Sequence, residues 1–260
     1  MRIDLNSDLG ESFGSYRIGM DDEVIKYVSS VNVACGWHAG DPVIMERTVR
    51  MAKENGVAVG AHPGFDDKQG FGRRKIQLPA DEIRVMMKYQ IGALMAFLQS
   101  EGMKMQHVKP HGALYNMAMV DGDIADAVCK AIDEVDPSIY VLAPAGCEMD
   151  LAAQRNGLKI AREVFADRAY QEDGTLVPRS LPGAVLHDPE EILARVLRMV
   201  KEGKVTTIDG KDIDISADSI CVHGDNEKAL RIVETIKNGL EQAGIELRNF
   251  GEEAGKVNRK

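Results

Sequence analysis

A chain of 260 residues with 44% hydrophobic content can bury one large core, and α/β barrels commonly fill that length undivided, so a single domain over residues 1–260 is expected. Thirty-two basic against 41 acidic residues give a formal charge of -9, a field that repels nucleic acid and anionic membrane and leaves any anionic substrate needing a locally basic pocket. Cys35, Cys129, Cys147 and Cys221 lack CxxC spacing, which argues against a zinc ribbon or disulfide framework. With no apolar run of signal-peptide or membrane-span length, a soluble cytoplasmic protein is expected.

Met1 to Leu5 is apolar at alternate positions and breaks at Asn6, reading as a strand that delivers Asp8 and Glu11 into a loop. A short helix is expected over Asp21 to Val28 and a second strand over Val31 to Ala34, running into Cys35-Gly36-Trp37-His38. Asp41 caps and Pro42 opens a helix to about Asn55. The third strand, Val57 to Val59, leads to His62 and to a glycine-rich folded loop ending in Arg73 and Arg74. Ile83, Met87, Ile91, Leu94 and Leu98 fall at helical spacing between Pro79 and Glu101, a core stripe.

The densest stretch follows, His107 to Asn116, HVKPHGALYN. Val108 is a strand former, Pro110 cannot donate to a ladder and Gly112 permits a turn, so Lys109 and His111 stand at a strand's carboxyl end. A helix from about Asp123 to Val135, a strand from Ile139 to Leu142 and a helix from Glu148 to Asn156 come next. The sixth strand, Lys159 to Phe165, delivers Glu163, Asp167 and Arg168. Tyr170 to Asp188 then breaks the alternation and reads as a lid or binding loop over the site. Beyond a helix from Pro189 to Gly203, Asp209-Gly210 marks a hairpin. Ser219 to Val222 is the last strand, ending in His223-Gly224-Asp225, before a final helix to about Ala243.

About seven strand–helix alternations favour a parallel sheet closed into a barrel with helices outside. Asp8, Glu11, His38, His62, Lys109, His111, Glu163, Asp167, His223 and Asp225 then share one rim, the end where such folds assemble catalytic groups. Carboxylates beside histidines serve as general acid and base or as ligands of a divalent metal, for which Asp8, His38 and His62 are the candidates. Lys109, Arg73, Arg74 and Arg168 supply the cationic surface an anionic substrate needs. Neither GxxxxGK[ST] nor GxGxxG follows a strand, so no common phosphate cradle is present.

IDLNSDLGESFG from Ile3, NVACGWHAGDP from Asn32, GAHPGFDDKQGFGRR from Gly60, VKPHGALYN from Val108, EVFADRAY from Glu163 and CVHGD from Cys221 resemble, in order, the LamB/YcsF family. The resemblance covers nearly the whole chain. It implies a seven-stranded β/α barrel similar to glycoside hydrolase and deacetylase folds, and ATP-dependent opening of 5-oxoproline to L-glutamate with two companion subunits, B and C. On that footing Asp8 or His62 positions water, Lys109 and His111 stabilise developing negative charge, and Arg168 holds the substrate carboxylate with Glu163 and Asp167 orienting it or a metal. His38 and His223 join the catalytic set, and Glu11, Asn32, Arg73, Arg74, Tyr115 and Asp225 the substrate-binding set. ATP is consumed by the complex, its site open between this chain and the companions. A metal-dependent hydrolase such as a carbohydrate deacetylase, and a non-catalytic binding or regulatory subunit, are the alternatives.

Overall fold

The first strand sets the character of the barrel, because its alternate residues Asp4, Asn6 and Asp8 are polar while Ile3, Leu5 and Leu9 are buried apolar. The computed structural model describes residues 1–224 and 226–251. In chain order the elements are β1 (Arg2–Leu9), α1 (Asp21–Val24), β2 (Ser30–Ala34), α2 (Pro42–Asn55), β3 (Ala58–His62), α3 (Ala80–Ser100), β4 (Met105–Val108), α4 (Gly112–Ala118) and α5 (Gly122–Val135). They continue with β5 (Tyr140–Ala143), α6 (Glu148–Arg155), β6 (Ile160–Phe165), α7 (Pro189–Glu202), β7 (Lys204–Thr206), β8 (Asp212–Asp214), β9 (Ser219–Val222), α8 (Glu227–Gln242) and β10 (Glu246–Leu247).

Strands β1 to β6 pair in sequence and in parallel, β9 pairs with β6, and β9 pairs again with β1, which closes a barrel of seven parallel strands. β7 and β8 form the hairpin expected around Asp209-Gly210 and stand outside the barrel. Two elements go beyond the expected set. Seven residues after His111 form helix α4, and β10 adds two residues beside the start of β1.

Local chemistry explains the boundaries. Asp41 accepts from the amides of Val43 and Ile44, both at 2.9 Å, with Pro42 in the first turn. Asp188 and Pro189 repeat the device at α7. The α3 stripe Ile83, Met87, Ile91, Leu94 and Leu98 is buried.

The barrel interior is polar and tied together in layers. At its base Asp4 accepts from Ser29 at 2.6 Å, from Ser30 at 2.8 Å and from Ser219. Burial raises the Asp4 carboxyl to about 6, against the pull of those hydroxyls. One layer up, Asn6 donates to Ser219 at 2.8 Å and to Glu163 at 3.1 Å, and Asn32 donates to Asn6 at 2.8 Å. His107 meets Asn32 at 2.6 Å. Such a core is tolerable only because its polar atoms have partners.

His107 fits because its neighbour in the register is Gly60, where a Cβ would stand 2.2 Å from the ring. Gly60→Ala is therefore expected to destabilise the chain by about 3 kcal/mol, the upper end for overpacking a core, because the ring has no free direction to move. Urea unfolding measures this, and a loss under about 0.5 kcal/mol, surface-like, would contradict the packing.

Candidate functional site

The polar layers end in a cavity at the carboxyl rim of the strands. Lys109 extends β4 by one residue, its amide donating to Ala61 at 2.9 Å, and Pro110 stops the ladder. Its ammonium lies 2.7 Å from Glu163 Oε1, 3.3 Å from Asp8 Oδ1 and 3.2 Å from Cys221 Sγ. Burial alone would discharge this lysine, but Asp8 and Glu163 outweigh it and hold the ammonium charged, its pKa well above the usual value. Burial likewise works to protonate Asp8, and His62 and Lys109 overcome it, keeping that carboxyl well below the ordinary range. Tyr115, on α4, donates to Glu163 Oε2 at 2.7 Å, and Asn32 donates to Asp8 Oδ1 at 2.7 Å.

Three imidazoles stand beside this group. His62 Nδ1 lies 2.8 Å from the Lys109 carbonyl, which leaves Nε2 facing Asp8 Oδ2 at 3.4 Å and His111 Nδ1 at 2.9 Å. His111 Nε2 lies 2.8 Å from the carbonyl of Phe71, a residue held at a left-handed φ of 54°. His38 stacks on His111 at 3.7 Å with its Nε2 3.3 Å from Glu11 Oε1. Burial first, and the neighbouring rings second, push His111 down to about 3 and His38 well below its usual value. Donor atoms of Glu11, His38, His62 and His111 lie within 4.8 Å of one another, a grouping able to hold a metal ion.

Across the rim, His223 Nδ1 lies 3.0 Å from Asp167 Oδ2. Burial lowers the His223 pKa and Asp167 raises it, with the carboxylate winning. The cavity above these groups has a volume of about 850 Å³. Asp8, Glu11, His62, Lys109, His111, Tyr115 and His223 line it, and Arg73, Lys75 and Arg179 stand in its wall.

This arrangement can be set beside known proteins. The LamB/YcsF family model matches residues 3–255. The chain belongs to the LamB/YcsF family. A Clostridium beijerinckii protein that bears the name of the 5-oxoprolinase A subunit is 58% identical over 246 residues, covering 95% of this chain and 96% of that one. One of the same name from Fusobacterium nucleatum is 55% identical over 250 residues, with 96% of this chain and 97% of that one covered. The crystal structure of a lactam utilization protein from Thermus thermophilus superposes with a TM-score of 0.93 at 46% identity, over 96% of this chain and 100% of that one.

In this LamB/YcsF chain most of the expected residues meet at one place and a few do not. Asp8, Glu11, His62, Lys109, His111, Tyr115, Glu163, Asp167 and His223 gather at or directly beneath the cavity, with Asn32 one layer below. Asp8 stands in the last pleat of β1 rather than in a loop, because the β1–β2 ladder runs on to Leu9. His38 sits behind His111, outside the cavity lining. Arg74 turns away to pair with Asp67, so it stands apart from the cavity. Arg73 remains in the wall, its guanidinium 5.0 Å from the centre of the Phe71 ring. Asp225 lies outside the described residues.

Arg168 reaches the cavity but is engaged otherwise than expected. It donates to the carbonyls of Val177 at 2.6 Å and Ala184 at 3.3 Å, pinning the 170–188 excursion as a wall whose residues 175–179 line the cavity. Lys75, Arg179, Asn6 and the Phe71 carbonyl were not singled out from the sequence. Asn6 carries a signal in the inward period-two set Asp4, Asn6, Asp8, whereas surface cations on loops carry none.

Proposed function

We propose that this chain is the A component of a 5-oxoprolinase and opens the lactam of 5-oxoproline to L-glutamate in the cavity above Lys109. The observation that carries it is a buried, charged lysine held between two carboxylates and facing a cavity ringed by histidines.

Lactam opening needs water to add at the ring carbonyl, negative charge to collect on its oxygen, the C–N bond to break and the nitrogen to gain a proton. Water held beside Asp8 Oδ2 and His62 Nε2 gives its proton to that pair, and the Lys109 ammonium faces the negative charge developing on the carbonyl oxygen. His223, its imidazolium favoured by the Asp167 carboxylate, gives the departing nitrogen its proton. Arg73, Lys75 and Arg179 meet the substrate carboxylate, the part expected of Arg168.

A lactam carbonyl is a poor electrophile, and transfer of the γ-phosphoryl group of ATP to its oxygen, with ADP leaving, supplies the activation. Water then opens the ring to an acyl phosphate, which a second water cleaves to glutamate and phosphate. Without a P-loop or GxGxxG in this chain, ATP is handled by the companion subunits B and C in the cytoplasm. A metal-dependent hydrolase acting alone is the second reading, favoured by the Glu11, His38, His62 and His111 grouping.

The test is glutamate release from 5-oxoproline and ATP by this chain alone, by the companions alone and by the mixture. Release only from the mixture is expected. Release by this chain alone with a divalent metal and no ATP would favour the second reading, and no release from any combination of folded, mutually bound subunits would overturn the first.

A further inference from the structure

Two of the cavity's imidazoles face each other with the wrong complement of protons for a hydrogen bond. A backbone carbonyl only accepts, so His62 Nδ1, at 2.8 Å from the Lys109 carbonyl, carries the hydrogen and leaves a lone pair on Nε2. His111 Nε2, at 2.8 Å from the Phe71 carbonyl, likewise carries the hydrogen and leaves a lone pair on Nδ1. Those two lone-pair nitrogens stand 2.9 Å apart. Asp8 Oδ2 approaches His62 Nε2 at 3.4 Å, and Glu11 Oε1 approaches His111 Nδ1 at 3.7 Å. Two lone-pair nitrogens and two carboxylate oxygens thus crowd together, and a positive centre at the nitrogens, an added proton or a bound cation, reconciles them.

A shared proton would serve one pair of atoms only. A cation serves both nitrogens and the Glu11 carboxylate together. We infer that His62 Nε2 and His111 Nδ1, completed by the Glu11 carboxylate, hold one divalent ion of the zinc, cobalt or manganese class at the cavity wall, with Asp8 beside it.

The ligand set differs from both the sequence candidates and the simple proximity group in leaving out His38. An imidazole lone pair lies in its ring plane. The His38 and His111 rings are parallel within 2° and 3.7 Å apart, so one ion cannot lie in both planes. His38 instead orients Glu11 through Nε2, at 3.3 Å. Asp8, Glu11, His62 and His111 all line the cavity and His38 does not, which places the ion where substrate can reach it.

The supports of the site are built for this. Phe71 keeps a backbone conformation costly for a residue with a side chain, and its carbonyl is the group that sets the His111 tautomer. Gly72 follows, where a Cβ would stand 2.7 Å from His38 Cβ and 2.9 Å from His111 Cδ2. Tetrahedral zinc with Zn–N bonds of about 2.0–2.1 Å sets its nitrogens roughly 3.3 Å apart, so the two rings need only open by a few tenths of an ångström. With an ion engaging the His62 lone pair, proton acceptance in the cavity falls to Asp8.

The test reads binding without turnover, and so stands apart from the lactam assignment. Chelator-stripped full-length chain is titrated with zinc under equilibrium dialysis and with cobalt(II) followed by its visible absorption, with thermal unfolding recorded alongside. One equivalent per chain is expected, with a rise in melting temperature. His62→Gln and His111→Gln should each weaken binding by at least about 100-fold, Glu11→Gln by about 10-fold, and His38→Ala by about 10-fold or less, as for a supporting residue. His187→Ala, at a position away from the cavity, should bind as the wild type does. Variants are compared only when they unfold cooperatively. Failure of the folded wild-type chain to bind either metal, or His38→Ala losing as much affinity as His111→Gln, would overturn the inference.

Discussion

Lys109→Met in the reconstituted complex is expected to lower glutamate production by about 10³-fold, the scale of losing a buried oxyanion partner. The same substitution is expected to destabilise the chain by about 3–5 kcal/mol, because it strands the Asp8 and Glu163 carboxylates in each other's company. The sequence alone supports a loss of turnover far larger than the loss of stability. The structure revises the second half, since the lysine is the counter-ion of the barrel's upper layer. Adding Glu163→Gln removes one of the stranded charges while the new amide oxygen still accepts from Tyr115 or Asn6. The double variant should regain part of the stability and none of the activity. Initial rates and urea unfolding on the two variants separate the effects, and turnover within a few-fold of wild type in either would exclude Lys109 from the chemistry.

His223→Gln is expected to cost about 10²-fold or more in turnover, the usual contribution of a positioned acid. Its partner supplies the sharper result. Burial acts to neutralise His223, and the Asp167 carboxylate reverses this, raising the imidazole above its usual 6.5. Turnover that needs the imidazolium is therefore full at low pH and lost as pH rises through that raised value. Asp167→Asn removes the larger of the two carboxylate effects on His223 and leaves burial opposed by Asp8 alone, so the alkaline limb should move to lower pH, with the activity lost at the alkaline end recovered on acidification. Stability follows the same sign. The pair's contribution through His223 is complete below the unfolded value and fades as pH rises through the folded one. A pH–rate profile of Asp167→Asn that keeps the wild-type alkaline limb would contradict the role.

The order of elements was legible because helix and strand signals here are local. Asp41-Pro42 and Asp188-Pro189 announce helix starts, and Pro110 announces the end of β4. The gathering of Asp8, Lys109 and Glu163 was legible once the strands were taken as parallel, since strand ends then share a rim. The polar interior was harder to see. Asp4 and Asn6 look like the edge of a fading strand, and only the register, which sets Asn6 opposite Ser30 and Cys221, turns them inward. Orientation was invisible as well. Arg74 and Arg168 are the same residue type and both were expected at the substrate, yet Asp67 draws one away and the carbonyls of Val177 and Ala184 occupy the other. Nor does sequence record a tautomer: the facing lone pairs of His62 and His111 follow from two carbonyls that tertiary structure brings to their far nitrogens.

Whether the lactam opens in this cavity is tested most directly by assembling the complex with the Lys109→Met/Glu163→Gln chain and following complex formation and glutamate release together. The account predicts that the complex forms as with the wild-type chain while glutamate release falls to background. An intact complex releasing glutamate at the wild-type rate would contradict it, and would make this chain a binding or regulatory component whose companions carry out the ring opening.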